Sequence, residues 1–97
     1  MKRTVFHPEA LAEMQDQAVY YEERRPGLGQ RFLAQVEDAV KLAGDMPSIG
    51  SPHRHGTRRV FPKDFPHSVI YQETADALIV LAVAPFRRKP GYWRKRG

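Results

Sequence analysis

The sequence predicts an α+β fold: an N-terminal strand, an antiparallel helix hairpin, then an antiparallel three-strand meander, with the helices packed on the sheet. Three observations predict it. Two successive segments carry apolar residues at steps of three and four, the spacing of one helix face. The second half instead holds three short runs rich in Val, Ile, Tyr and Phe, and Pro or Gly punctuates the joins. At 97 residues and 41% hydrophobic content, the chain has the size and apolar material of one modest core, so residues 1–97 are read as a single domain.

Thr4-Val5-Phe6 forms the first short strand. Pro8 suits the first position of a helix, where its missing N–H costs nothing, and Glu9 complements the dipole in the first turn. Leu11, Met14, Ala18 and Tyr21 then share one face, while Glu13, Asp16, Gln17 and Glu23 cover the other. Pro26 and Gly27 end that helix. A second carries Leu28, Phe32, Val36, Val40 and Ala43 until Gly44 and Pro47 stop it, and the short join makes the two antiparallel. Residues 47–56, PSIGSPHRHG, read as a loop. The strands of the meander are TRRVFP, HSVIYQET and ALIVLAVAP, separated by KDFP and a tight turn at ADA. Ala77 to Ala84 is nearly all apolar, which predicts the central strand, with helices on one face and other cover on the second.

Composition excludes several classes of function. Cys is absent, which removes disulfides, thiolate metal sites and thiol nucleophiles and fits a reducing, cytoplasmic setting. The longest apolar run falls far short of the roughly 20 residues of a membrane span. The basic N-terminus meets Glu9, Glu13 and Asp16 where a signal peptide would be apolar, so no membrane association is expected. Charge is unevenly placed: residues 1–46 hold six Lys/Arg against eight Asp/Glu, a net of −2, and residues 47–97 hold ten against three, a net of +7. A basic field of this kind favours nucleic acid, a ribosome or an acidic protein as partner.

The C-terminal APFRRKPGYWRKRG concentrates that charge, with six basic residues, no acidic one and an adjacent Tyr92-Trp93. Pro85 and Pro90 should stiffen this segment and Gly91 should turn it, folding Tyr92 and Trp93 back over the sheet while Arg87 and Arg88 project. Arg58 and Arg59 are strand neighbours, so only one can face a shared site. His53 and His55, two residues apart without Cys or a matching carboxylate, make a weak ligand set and are read as an exposed loop; neither metal nor cofactor is expected. His67 is either a neutral-range acid or base or an unpartnered strand-edge residue, and its neighbours assign it no role.

YYEERRPGLGQRFL, DMPSIGSP, RRVFPKDFPHSVIYQ and AVAPFRRKPGYW, in that order, resemble the RelE/ParE family of toxin-antitoxin toxins, over nearly the whole chain. FPHSVIY and RRKPGYW are closest to its plasmid-stabilisation branch. The resemblance implies an α+β toxin, a cognate antitoxin with an acidic tail that wraps and neutralises it, and an action on DNA gyrase or on translation. In two places the chain departs from the family: Pro85 stands where many members carry His, and Ser68 where the ribonuclease branch carries Arg. Both thin the set of groups for RNA cleavage, so the reading leans to a ParE-like gyrase inhibitor that binds without catalysing. Its toxic surface would be Arg59, Lys63, Arg87 and Arg88. The alternative is a metal-independent endoribonuclease acting on ribosome-bound mRNA, which would use Arg58, Lys63, Arg88 and Tyr92. A decayed member that only binds antitoxin is the third reading.

Overall fold

The computed structural model describes residues 2–89 and 91–96. The elements are β1 (Arg3–Phe6), α1 (Pro8–Arg24), α2 (Leu28–Asp45), β2 (Ser51–His53), β3 (Thr57–Val60), β4 (His67–Glu73) and β5 (Ala77–Pro85), with 3-10 turns at Arg54–Gly56 and Arg94–Arg96. The strands form one sheet in the order β1-β5-β4-β3-β2. Strands β3, β4 and β5 are the expected antiparallel meander, and α1 and α2 the expected hairpin. No helix among the described residues is long and apolar enough to cross a membrane.

The start of α1 follows its local sequence. Pro8 occupies the first turn, and His7 caps it by accepting the Glu9 N–H at Nδ1. Gly27 has no side chain to cap α2, and Glu22 supplies one from α1: its carboxylate accepts the N–H groups of Gly27 (2.8 Å) and Gly29 (3.0 Å). Those bonds hold its pKa below the usual carboxylate value. The helices approach so closely at Gly29 that a Cβ there would lie 2.4 Å from the Ala18 carbonyl oxygen. On α1 the buried stripe is Ala10, Met14 and Ala18, and Leu11, expected inside, is exposed.

Two features of the sheet were not legible as pattern. β1 lies parallel to β5, which makes β4 the middle strand rather than β5. Within the expected loop, Ser51–His53 adds an edge strand to β3, where Pro52 is tolerated because an edge position requires no ladder N–H. Its support is long-range: the Tyr71 hydroxyl donates to the Pro47 carbonyl (2.6 Å) and accepts the Gly50 N–H (2.9 Å). Arg58 donates to the Gly50 carbonyl at 2.7 Å.

Both faces of β5 are buried, as its apolar run predicts. Leu78, Val80 and Val83 face the helices and pack with Phe32, Val36 and Val40. The register slips between Ile70 and Tyr71, which pair with Ala82 and Val80, so Leu81 is the extra residue of a bulge. The bulge places Leu81 and Ala82 together on the outer face, where Ile70 and Trp93 complete a second core under Tyr92. Trp93, only 1% exposed, has folded back as expected, and Gly91 makes the turn at φ 89°. Pro90, expected to stiffen this segment, lies outside the described residues.

Glu13 departs from its expected solvated position on α1. Its carboxylate accepts bonds from the Val83 N–H (3.1 Å), the Tyr92 hydroxyl (2.8 Å) and the Arg96 guanidinium (3.0 and 3.1 Å), and Arg96 also donates to the Leu81 carbonyl (2.9 Å). Beyond Phe6 there is no β1 partner for β5. The Glu13–Arg96 pair stands in for that missing strand, satisfying an N–H and a C=O on the open edge.

His67 is buried rather than poised at an edge, 1% exposed among Phe32 (ring centroids 4.9 Å apart) and Tyr21 (6.0 Å). Neither ring nitrogen has a hydrogen-bond partner among the described residues, and burial lowers its pKa from 6.5 to about 4. The ring is therefore neutral in the fold at pH 7. On acidification the unfolded chain takes up the proton first, so stability is lost as pH falls from about 6.5 towards 4, by up to about 3 kcal/mol for this depression. Asp64, held below the usual carboxylate range by Gln35 and Arg31, contributes only at lower pH. Urea unfolding across this window should show the slope, and His67→Leu should remove most of it without loss of stability at pH 7, the remainder coming from His53 and Glu22, whose pKa values the fold also lowers. An unchanged slope in the variant would assign the acid sensitivity elsewhere.

Candidate functional site

The outer face of the sheet ends in a concavity of about 300 Å³ at the C-terminal end of β5. β3 delivers Arg59 to it, because Arg59 pairs with Ile70 of the outer core whereas Arg58 pairs with Tyr71 of the helix side. Ala84 and Ser68, cross-strand partners on β5 and β4, line the floor with Trp93. Arg88, Lys89, Tyr92 and His53 add polar groups to the wall, and Phe61 and Phe86 also line it. Pro85 lies in the lining as well, so both departures noted in the sequence fall within this site.

Electrostatically the concavity is one-signed: no carboxylate lines it among the described residues. The Arg59 guanidinium sits 5.4 Å from the centre of the Phe61 ring, and its buried Nε has no hydrogen-bond partner among the described residues. Arg88 lies 3.9 Å over the Tyr92 ring. Burial, reinforced by Arg59, lowers the pKa of His53 below the ordinary imidazole value, which disfavours its charged form. Phe61 and Phe86 meet edge to face at 5.8 Å and remain 45% and 60% exposed, a large apolar surface for a wet position. Exposed aromatics beside unpaired Arg are the composition of a binding hot spot.

The residues expected at the site separate. Arg59 and Arg88 converge on the concavity. Arg58 is spent on the Gly50 carbonyl. Lys63 lies in a separate groove against α2 with Gln35, Asp38 and Leu42, because its neighbour Asp64 is tied to Gln35 (2.8 and 2.9 Å) and to Arg31. Arg87 is exposed and within electrostatic reach of Tyr21 on the helix side. Tyr92 reaches the site with its ring alone: its hydroxyl donates to Glu13, and burial together with that carboxylate pushes its pKa above the ordinary value. The nuclease quartet of Arg58, Lys63, Arg88 and Tyr92 does not assemble around one point.

A family model described as the ParE toxin of type II toxin-antitoxin systems, parDE, matches residues 4–90. The chain belongs to the ParE toxin family. Among solved structures, this ParE-family chain is similar to one described as a chromosomal ParDE toxin-antitoxin system from P. aeruginosa, at 16% identity and a TM-score of 0.64, covering 88% of this chain and 96% of that one. At that identity the likeness concerns the fold. A search of curated proteins finds no significant match.

Sequence reasoning missed His53, Phe61 and Phe86 in this ParE-family site. One signal was available for the two Phe. Each directly follows a strand, and the antiparallel β3-β4-β5 meander returns the ends of β3 and β5 to the same side of the sheet. His53 carried no such signal, because its place depends on β2. Together with His55 it flanks the Trp93 ring, each at 5.7 Å between centroids, so the HRH segment braces the C-terminal turn.

Proposed function

We propose that this ParE-family toxin acts in the cytoplasm by inhibiting DNA gyrase through the Arg59–Arg88 concavity, and that a cognate antitoxin neutralises it. One observation carries the reading: among the described residues the site offers two Arg without acidic partners and two exposed Phe, but no convergent acid and base. Such a surface is built to grip an acidic, partly apolar patch rather than to move protons. The antitoxin would lie across the hairpin, where Val19 and Leu33 line an open groove beside exposed Tyr20 and Leu11, and would bring acidic residues to the basic half of the chain.

Induction in a bacterial host tests this directly. Growth should stop, DNA breaks and the SOS response should rise, and most transcripts should stay intact. Purified toxin added to purified gyrase should accumulate cleaved plasmid DNA. Co-expression of the small acidic protein encoded beside the toxin should restore growth. Codon-positioned cleavage of translated mRNA without DNA damage would overturn the gyrase reading in favour of ribonuclease. Unimpaired growth with soluble protein present would leave only antitoxin binding.

A further inference from the structure

A second basic surface adjoins the concavity. It is lined by Arg54 and His55 from the turn after β2 and by Lys89, Arg94 and Lys95 from the C-terminal segment, around an open depression of about 640 Å³. The four Lys and Arg residues are exposed, and none takes part in an ion pair among the described residues. Of the three consecutive basic residues 94–96, only Arg96 turns inward to Glu13. The stretch is thus divided between a structural cation and two that project.

The local backbone is shaped to hold the two segments together. His55 adopts the left-handed region at φ 61°, which is uncommon for a non-glycine residue, and Gly56 follows at φ 72°. Gly91 comes so near that a Cβ on it would lie 3.5 Å from His55 Nε2, and Trp93 seats against both His53 and His55. Gathering four like charges from two segments opposes folding by self-repulsion. An anionic ligand with regularly spaced charges would remove that repulsion.

We propose that this surface binds the phosphate backbone of duplex DNA. Single-stranded nucleic acid is gripped by aromatic platforms as well as by charge. Here the aromatic rings of the lining are Tyr92, which Arg88 covers at 3.9 Å, Arg96 approaches at 5.0 Å and Glu13 fixes through the hydroxyl, and His55, which packs against Trp93; neither is set as an open platform for a base. Phosphate contacts alone suffice for a duplex held without sequence preference. The proposal concerns DNA itself and does not depend on gyrase being the toxin's target.

Fluorescence anisotropy with the purified chain and a labelled duplex of about 20 base pairs tests it across about 50 to 200 mM salt. Affinity should fall steeply with salt. The variant combining Arg54→Ala, Lys89→Ala, Arg94→Ala and Lys95→Ala, with its fold confirmed by circular dichroism, should bind at least about tenfold more weakly and lose about 3 to 4 from the log–log salt slope. Arg59→Ala with Arg88→Ala should bind the duplex like the parent, which separates this surface from the concavity. Parent-like binding by the fourfold variant, loss of binding confined to the Arg59/Arg88 variant, or tighter binding of single-stranded RNA than of the duplex would each overturn the proposal.

Discussion

Replacing Trp93 with Ala is expected to lower stability by roughly 3–5 kcal/mol, the usual cost of deleting a fully buried aromatic side chain. The ring is 1% exposed and covers Ile70, Leu81 and Ala82, the apolar residues that the β5 bulge turns to the outer face. Its loss would open that face to water and leave His53 and His55 without the ring they flank. For a chain of this size the melting temperature should fall by at least about 12 °C, at roughly 4–8 °C per kcal/mol. Trp93→Phe should retain much of the loss, since a smaller ring still fills part of the site. A Trp93→Ala melt within about 2 °C of the parent would show that the outer core does not depend on the C-terminal segment.

Exchanging Arg59 and Arg88 together for Ala is expected to abolish toxicity while leaving the fold intact. Neither side chain takes part in an ion pair among the described residues and each makes one cation–π contact, so removing both should cost no more than about 1–2 kcal/mol. Binding is another matter. Central Arg anchors are worth about 2 kcal/mol each in protein interfaces, so the pair should weaken target binding about a thousandfold. Lys63→Ala with Arg87→Ala removes the same formal charge from outside the concavity and should have a much smaller effect. Growth assays and gyrase cleavage on both double variants, with thermal melts as control, decide the matter. Equal loss of toxicity in the two would mean that net charge, not the concavity, carries the activity.

Much of the fold was legible because it is written in local periodicity. The spacing of Met14, Ala18 and Tyr21, and of Phe32, Val36 and Val40, marked two inward stripes, and Pro8 and Gly27 marked their limits. The apolar run of β5 announced burial on both faces. The site was legible only in part. Neighbouring strand positions alternate sides, so one of Arg58 and Arg59 had to face away, yet which one depended on the pairing with β4. Lys63 looked equivalent to the other cations until Asp64 anchored its loop on α2.

By itself the sequence determined the element order, the helix hairpin, the folding back of Trp93 and the basic character of the second half, because each rests on residues close together in the chain. Only the tertiary structure decided that β1 pairs in parallel with β5, that Ser51–His53 becomes a strand, and that Glu13 leaves the solvent to close the edge of β5 with Arg96. Each of these satisfies backbone groups or charges with partners distant in sequence. Hydrogen-bond satisfaction is a requirement of the folded whole, and no window of neighbouring residues records which distant group will meet it.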